Sequence, residues 1–203
     1  MEIIKLFIAD LDLARNHHHF LLKNISEEQK EKALRYKNEK DQMRSLLSSY
    51  MANQVSNDKL LKKESGKPYY ENGPFFNISH SGKYVIMALS NKEIGVDIEE
   101  NVEKDMSMLI GIFNEAEAKM IKEYADFYYL WCAKESLIKC TGGSISKVKE
   151  TPSLPLNGIK TFKGIDYQCQ TFIYDKHIVS VTRESNEPFE IKIVKIDKLP
   201  FTI

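Results

Sequence analysis

The segment EIGVDIEE, residues 93–100, alternates Ile94, Val96 and Ile98 with Gly95, Asp97 and Glu99. Successive side chains of a strand face opposite ways, so Asp97 and Glu99 share one face, about 6.6 Å apart along the chain. Two carboxylates that close repel each other unless positive charge lies between them. Their hard oxygens suit magnesium, which takes one or two carboxylates together with substrate phosphates. A strand whose polar face simply meets water accounts for the same spacing. A second charged set lies in LWCAKESLIK, residues 130–139. At about 100° per residue, Phe127, Leu130, Trp131, Leu137 and Ile138 fall on one apolar arc of a helix. Glu135 and Lys139 stand four apart and stack on the next face, as ordinary surface ion pairs also do. Lys134 falls near the middle of the apolar arc. Either its stem snorkels past the core, or its ammonium faces a buried anion.

Anion-binding signals precede these. FNISHSGKY sets His80 between Ser79 and Ser81, with Gly82 closing a turn. Hydroxyls, imidazole and turn N–H groups can bind a phosphate together, though Ser and Gly are also ordinary turn residues. SGKPYY offers Lys67 in a turn set by Gly66 and Pro68. From Lys23 to Arg44 the basic residues exceed the acidic ones by two, and a solvated helix face explains most of them. The run His17–His19 suggests a metal, but three consecutive helical side chains point about 100° apart and cannot meet one ion. A solvated or half-buried trio is the simpler reading.

These groups need elements to carry them. A strand is expected near residues 2–9, then a helical region over about 26–56 that starts at Ser26 with Glu27 and Glu28 in its first turn. FFNIS, YVIMALS and IGVDIE read as three strands. YVIMALS is apolar on both faces and therefore central, and Asn91 and Lys92 turn it into the next strand as a buried hairpin. Helices are expected at about 105–124 and 126–141, and strands near 159–163, 167–174, 178–183 and 190–196. Helix followed by antiparallel sheet, twice, predicts an α+β chain of two similar α/β halves, divided into residues 1–100 and 101–203.

The chain has 203 residues, 42% hydrophobic and 29% charged, with Lys plus Arg equal to Asp plus Glu at 29 each. That composition is ordinary for a globular protein, and the balance gives no support to a nucleic-acid or membrane partner. Cys132, Cys140 and Cys169 are odd in number and lack CxxC spacing, which argues against a disulfide framework or zinc site and fits a reducing, cytoplasmic setting. The opening MEIIKLFIADL, with Glu2, Lys5 and Asp10, reads as a strand, and no apolar run approaches the ~20 residues of a membrane helix.

In this order and spacing, GKP at 66–68, FNISHSG at 76–82, GVDIE at 95–99 and WCAKESLIK at 131–139 resemble the 4′-phosphopantetheinyl transferases of the surfactin-synthetase type. IFNEAE at 112–117 is similar to that family's intervening segment. The resemblance covers residues 26–139. It implies a pseudo-dimer of two halves in one chain, working as a monomer, with coenzyme A between them. It implies transfer of the phosphopantetheine arm to a serine of an acyl or peptidyl carrier protein, releasing adenosine 3′,5′-bisphosphate. Carried onto this sequence, Asp97, Glu99 and Glu135 would hold Mg²⁺ with the pyrophosphate, and Lys139 and Lys134 would neutralise the phosphates. Lys32, Arg44 and His80 would hold the 3′-phosphate of coenzyme A. Lys67 and Pro68 would border the adenine, and Ser79 would reach the pyrophosphate. Glu135, or a water on the metal, would take the proton of the attacking serine. Gln29 stands where relatives often carry a basic residue. A non-catalytic module for coenzyme A or a carrier protein is a rival reading, and a Mg²⁺-dependent hydrolase of nucleotide pyrophosphates is another. The carrier could belong to fatty-acid, polyketide or nonribosomal-peptide synthesis.

Overall fold

The computed structural model describes residues 1–103, 105, 107–201 and 203, with the backbone alone at 107 and 108. Alternation along β1 (Glu2–Asp10) explains its place. Phe7 and Ala9 point to one apolar core and Ile4, Leu6 and Ile8 to another. It pairs antiparallel with β5 (Tyr84–Ser90), which pairs with β4 (Phe75–Ser81). On the far side of β1, β10 (Phe189–Ile196) completes this first sheet as a parallel neighbour. The second sheet runs in the order β6 (Ile94–Glu100), β9 (His177–Glu184), β8 (Ile165–Tyr174), β7 (Asn157–Phe162), all antiparallel. A two-residue pair, β2 (Leu61–Lys62) with β3 (Pro68–Tyr69), stands apart from both.

The layers follow from which faces are apolar. Helices α1 (Leu11–Asn16), α2 (His18–Lys23) and α4 (Glu39–Asn53) cover one face of the first sheet through Leu13, Leu21, Met43, Leu47 and Met51. Its other face meets the second sheet across Ile86, Ala88, Val96, Ile98, Val179 and Val181. Helix α7 (Tyr124–Thr141) covers the outer face of the second sheet through Ala133, Leu137 and Cys140 against Tyr167 and Cys169. All three cysteines are buried and unpaired. The fold is α+β, with one helix-covered sheet in each half. Among the described residues, no helix is long and apolar enough to cross a membrane.

Four expectations change. The hairpin from YVIMALS into IGVDIE does not form: both edges of β5 are taken by β1 and β4, so at Asn91–Glu93 the chain leaves for the second sheet. Against an expected division at residue 100, β6 therefore lies in the second sheet and β10 returns to the first. The helix expected over 26–56 is two, α3 (Glu27–Leu34) and α4, because the Asn38 side chain accepts from Lys40 N–H and starts α4 afresh. The helix expected over 105–124 is broken into α5 (Ser107–Ile110) and α6 (Glu115–Ala118); its position 106 lies outside the described residues. Asn114 and Glu117 form a capping box that restarts the backbone there. At His17–His19 the His17 ring bonds the Leu13 carbonyl between α1 and α2.

Candidate active site

Ile94, Val96 and Ile98 point into the core between the sheets, so Gly95, Asp97 and Glu99 face α7. Gly95 is what lets the helix lie that close: a Cβ there would sit 1.9 Å from the Ser136 carbonyl and 2.4 Å from the Cys140 nitrogen. Glu135 and Lys139, one turn apart on α7, are thereby brought onto the strand's polar face. The Lys139 ammonium donates to Asp97 Oδ1 at 2.7 Å and lies 3.5 Å from Glu135 Oε2. It also donates to Ser79 Oγ at 2.9 Å, and that hydroxyl donates to Asp97 Oδ1 at 2.8 Å. Glu99 accepts from Ser81 Oγ at 2.8 Å and from the Trp131 indole at 3.2 Å.

The seam between β4 and β6 is polar and regular. Asn77 Oδ1 accepts from Val96 N–H, Ser79 bonds Asp97, and Ser81 bonds Glu99 and accepts from Glu100 N–H. Alternate residues of one strand thus tie the first sheet to the carboxylate strand of the second. Burial, and then the charge of Asp97, holds the Glu99 carboxyl above its ordinary range. Glu135 is raised as well, by burial first, with Lys139 opposing and Asp97 adding to it. Burial would lower Lys139, but Asp97 and Glu135 outweigh it and leave the ammonium raised. A firmly charged lysine therefore sits among three carboxylates, two of which are held back from ionising.

The same strand β4 forms one wall of a cleft of about 230 Å³. Gln29 and Lys32 of α3, Ser48 and Ser49 of α4, Gly66, Pro68, Asn77 and His80 line it. A capping box at Ser26 and Gln29 fixes the start of α3 and so the position of Lys32. Gln29 is itself held by Asn53 at 3.0 Å. His80 stays open to the cleft, and its imidazole is lowered from its ordinary value by partial loss of water around it and then by the charges of Arg44 and Lys139. Arg44 pairs with Asp41 at 2.9 Å and donates to the Gly82 carbonyl, so it braces the turn after His80.

Residues 93–186 match the family model "4′-phosphopantetheinyl transferase superfamily", and residues 13–92 match "4′-phosphopantetheinyl transferase, N-terminal". The two matches meet in the turn where the chain changes sheets. Over 181 residues the chain is 33% identical to the 4′-phosphopantetheinyl transferase gsp of Aneurinibacillus migulanus, covering 82% of this chain and 72% of that protein. Over 194 residues it is 31% identical to the 4′-phosphopantetheinyl transferase Sfp of Bacillus subtilis, covering 87% and 83%. The chain belongs to the 4′-phosphopantetheinyl transferases. It is a transferase of the surfactin-synthetase type.

With the family known, the placement of each expected residue can be read. Asp97, Glu99, Glu135, Lys139 and Ser79 come together at the seam. Lys32, Pro68 and His80 come together in the adjoining cleft, with Arg44 behind His80. Two lysines go elsewhere. Lys134 is wholly buried, its ammonium 2.6 and 2.7 Å from the two oxygens of Glu117, which also accepts from Ser153. Of the two readings of Lys134 on the apolar arc, a snorkelling stem or an ammonium facing a buried anion, the structure has the second, and the anion is this carboxylate. Lys67 turns from the cleft to Glu93, Ile94 O and Cys140 O. Sequence reasoning missed Asn77, Trp131, Glu93 and Glu117, and it had Ser81 as a phosphate donor where the structure has it bonded to Glu99. The polar residues at 77, 79 and 81, alternating with Phe76 and Ile78, were the available signal for the seam.

The donors suit a magnesium ion. They are hard oxygens, and among the described residues the buried Asp97 Oδ2 has no hydrogen-bond partner. Among the same residues no three His, Cys, Asp or Glu side chains converge as a ready-made ion site, and Lys139 bridges Asp97 and Glu135.

Proposed function

We propose that this transferase moves the 4′-phosphopantetheine arm of coenzyme A to a serine of an acyl or peptidyl carrier protein in a Mg²⁺-dependent reaction, releasing adenosine 3′,5′-bisphosphate. The observation that carries this is the buried Asp97 Oδ2, without a hydrogen-bond partner among the described residues, beside Lys139 at the seam adjoining a cleft lined by Lys32, Pro68 and His80. In this reading Lys32 and His80 bind the 3′-phosphate, with Arg44 beside them, and Pro68 borders the adenine. Lys139 moves from Asp97 to the pyrophosphate, whose charge it offsets. Asp97, Glu99 and Glu135 hold the metal, which supplies polarisation of the phosphoryl group and charge neutralisation when bound.

A serine hydroxyl needs a base to attack efficiently. Glu135 suits that role by position, because α7 brings its carboxylate to the seam beside Lys139. The serine oxygen forms a bond to the β-phosphorus, its proton passes to Glu135, and the bond to the adenosine bisphosphate oxygen breaks with its electron pair. Both cleft and seam come from one chain, which supports a monomer. Incubation with coenzyme A, Mg²⁺ and an apo-carrier, read by intact mass of the carrier, tests the assignment. The carrier gains the mass of one phosphopantetheine group, and omission of Mg²⁺ prevents the gain. Consumption of coenzyme A with no change in the carrier would favour a pyrophosphate hydrolase instead.

A further inference from the structure

We infer that Lys67 is a positioning residue, fastening the cleft loop that carries Pro68 to the two elements that bear the carboxylates; the inference rests on the reading of the cleft as the coenzyme A site. Lys67 sits in the turn of the β2–β3 pair, next to Pro68, which lines the cleft. Its side chain runs the opposite way and is 7% exposed. All three N–H donors of the ammonium find acceptors: Glu93 Oε2 at 2.8 Å, Ile94 O at 2.9 Å and Cys140 O at 3.3 Å. Glu93 and Ile94 lead into β6, which bears Asp97 and Glu99. Cys140 lies in the last turn of α7, directly after Lys139.

The loop needs such a fastening. Its two strands are two residues each and join neither large sheet, and an isolated pair that short has little stability of its own. The turn is closed by Lys63 N–H on the Lys67 carbonyl at 2.9 Å and by Gly66 N–H on the Lys63 carbonyl at 2.8 Å. Gly66 takes a left-handed φ of 83°. Lys63 and Lys67 grip the two oxygens of Glu93. Burial acts to raise the Glu93 carboxyl, but the two lysines prevail and hold it below the usual range. One carboxylate and one ammonium thus set how far Pro68 lies from β6 and α7. An ammonium whose donors are all taken within the protein has none left for the ligand.

A double-mutant cycle distinguishes positioning from contact. Glu93 does not line the cleft, so Glu93→Gln tests the fastening without removing a ligand contact. Lys67→Met and Glu93→Gln are each expected to raise the KM for coenzyme A roughly tenfold, as a small misplacement of a binding wall can. The double variant should be no worse than the weaker single variant. The kcat, the KM for the carrier and the melting temperature should change little, and Lys67→Arg should restore most of the binding. An increase in KM for Lys67→Met with none for Glu93→Gln would mean that Lys67 touches the ligand, and would overturn the inference. No increase in either, or parallel losses in kcat and melting temperature, would overturn it as well. If Lys67→Met does not fold, Glu93→Gln and Lys67→Arg decide alone: an unchanged KM in Glu93→Gln refutes the fastening. A parent protein that does not use coenzyme A would instead refute the functional assignment beneath it.

Discussion

Replacing Lys32 by alanine should weaken the use of coenzyme A roughly ten- to thirtyfold and leave dephospho-coenzyme A nearly untouched. Lys32 stands on the cleft face of α3 with His80 across the opening. A hydrogen bond to a charged group contributes ~1.5–3 kcal/mol. Lys32 is exposed in the unliganded protein, and exposed ion pairs contribute less than shielded ones, so the lower half of that range applies. At ~1.4 kcal/mol per factor of ten, ~1.5–2 kcal/mol corresponds to about ten- to thirtyfold. Dephospho-coenzyme A lacks the 3′-phosphate, so the pair of substrates and the pair of proteins form a cycle that isolates one contact. The assay is kcat/KM for each substrate against an apo-carrier at saturating Mg²⁺. Arg44→Ala is the informative comparison: its guanidinium is already shared between Asp41 and the Gly82 carbonyl, so its loss should fall on both substrates through the turn. His80→Ala should resemble Lys32→Ala. Its charge-dependent share should be present at acid pH and be lost as pH rises, at a lower pH than for an ordinary imidazole of ~6.5, because His80 is lowered. Equal losses on the two substrates for Lys32→Ala would refute the assignment of the 3′-phosphate to this end of the cleft.

The buried pair of Lys134 and Glu117 should govern acid stability. Burial would raise Glu117, but Lys134 and Ser153 overcome it and the carboxyl is lowered. Its contribution is thus complete above the unfolded value of ~4.3 and is lost as pH falls through the folded one. Lys134→Met leaves that carboxylate without its cation and should cost about 3–5 kcal/mol at pH 7. The deficit should shrink towards pH 4, where Glu117 takes a proton. Denaturant titrations at both pH values check this, and a pH-independent deficit would contradict it. Gly95→Ala should destabilise by at least about 1–3 kcal/mol, since the added carbon meets backbone atoms of α7 at 1.9 and 2.4 Å. The same variant should lose transfer activity as Glu135 and Lys139 are pushed from β6. A shift in melting temperature without loss of transfer would show that the spacing of helix and strand is not critical.

What could be read in advance was periodic. The two-residue period placed Asp97 and Glu99 on one face, and the i, i+4 spacing placed Glu135 beside Lys139. Both patterns survive in the fold because they are local. The apolar arc of α7 put Lys134 near the core but left open whether its ammonium stays there; its partner Glu117 is 17 residues away on the separate short helix α6, which the periodicity of α7 does not reach. The same holds for the departure of β6 to the second sheet. Which strand pairs with which depends on edges already occupied, and a short turn such as Asn91–Glu93 is compatible with a hairpin or with a crossing. Lys67 shows a further boundary. Its motif predicts the position of its backbone beside the cleft, whereas the direction of its side chain depends on acceptors at Glu93 and Cys140 that long-range packing brings near.

The central claim, that the seam of β4, β6 and α7 performs the transfer, is tested most directly at Asp97. Apo-carrier is incubated with coenzyme A, Mg²⁺ and either the parent protein or Asp97→Ala, and its intact mass is followed over time. The change takes away the nearest partner of Lys139, but Glu135 at 3.5 Å still pairs the ammonium and the crowding on Glu99 is relieved, so Asp97→Ala should remain folded. It should also leave the carrier in its apo form while the parent converts it. Conversion by Asp97→Ala within tenfold of the parent rate, at saturating Mg²⁺, would contradict the account.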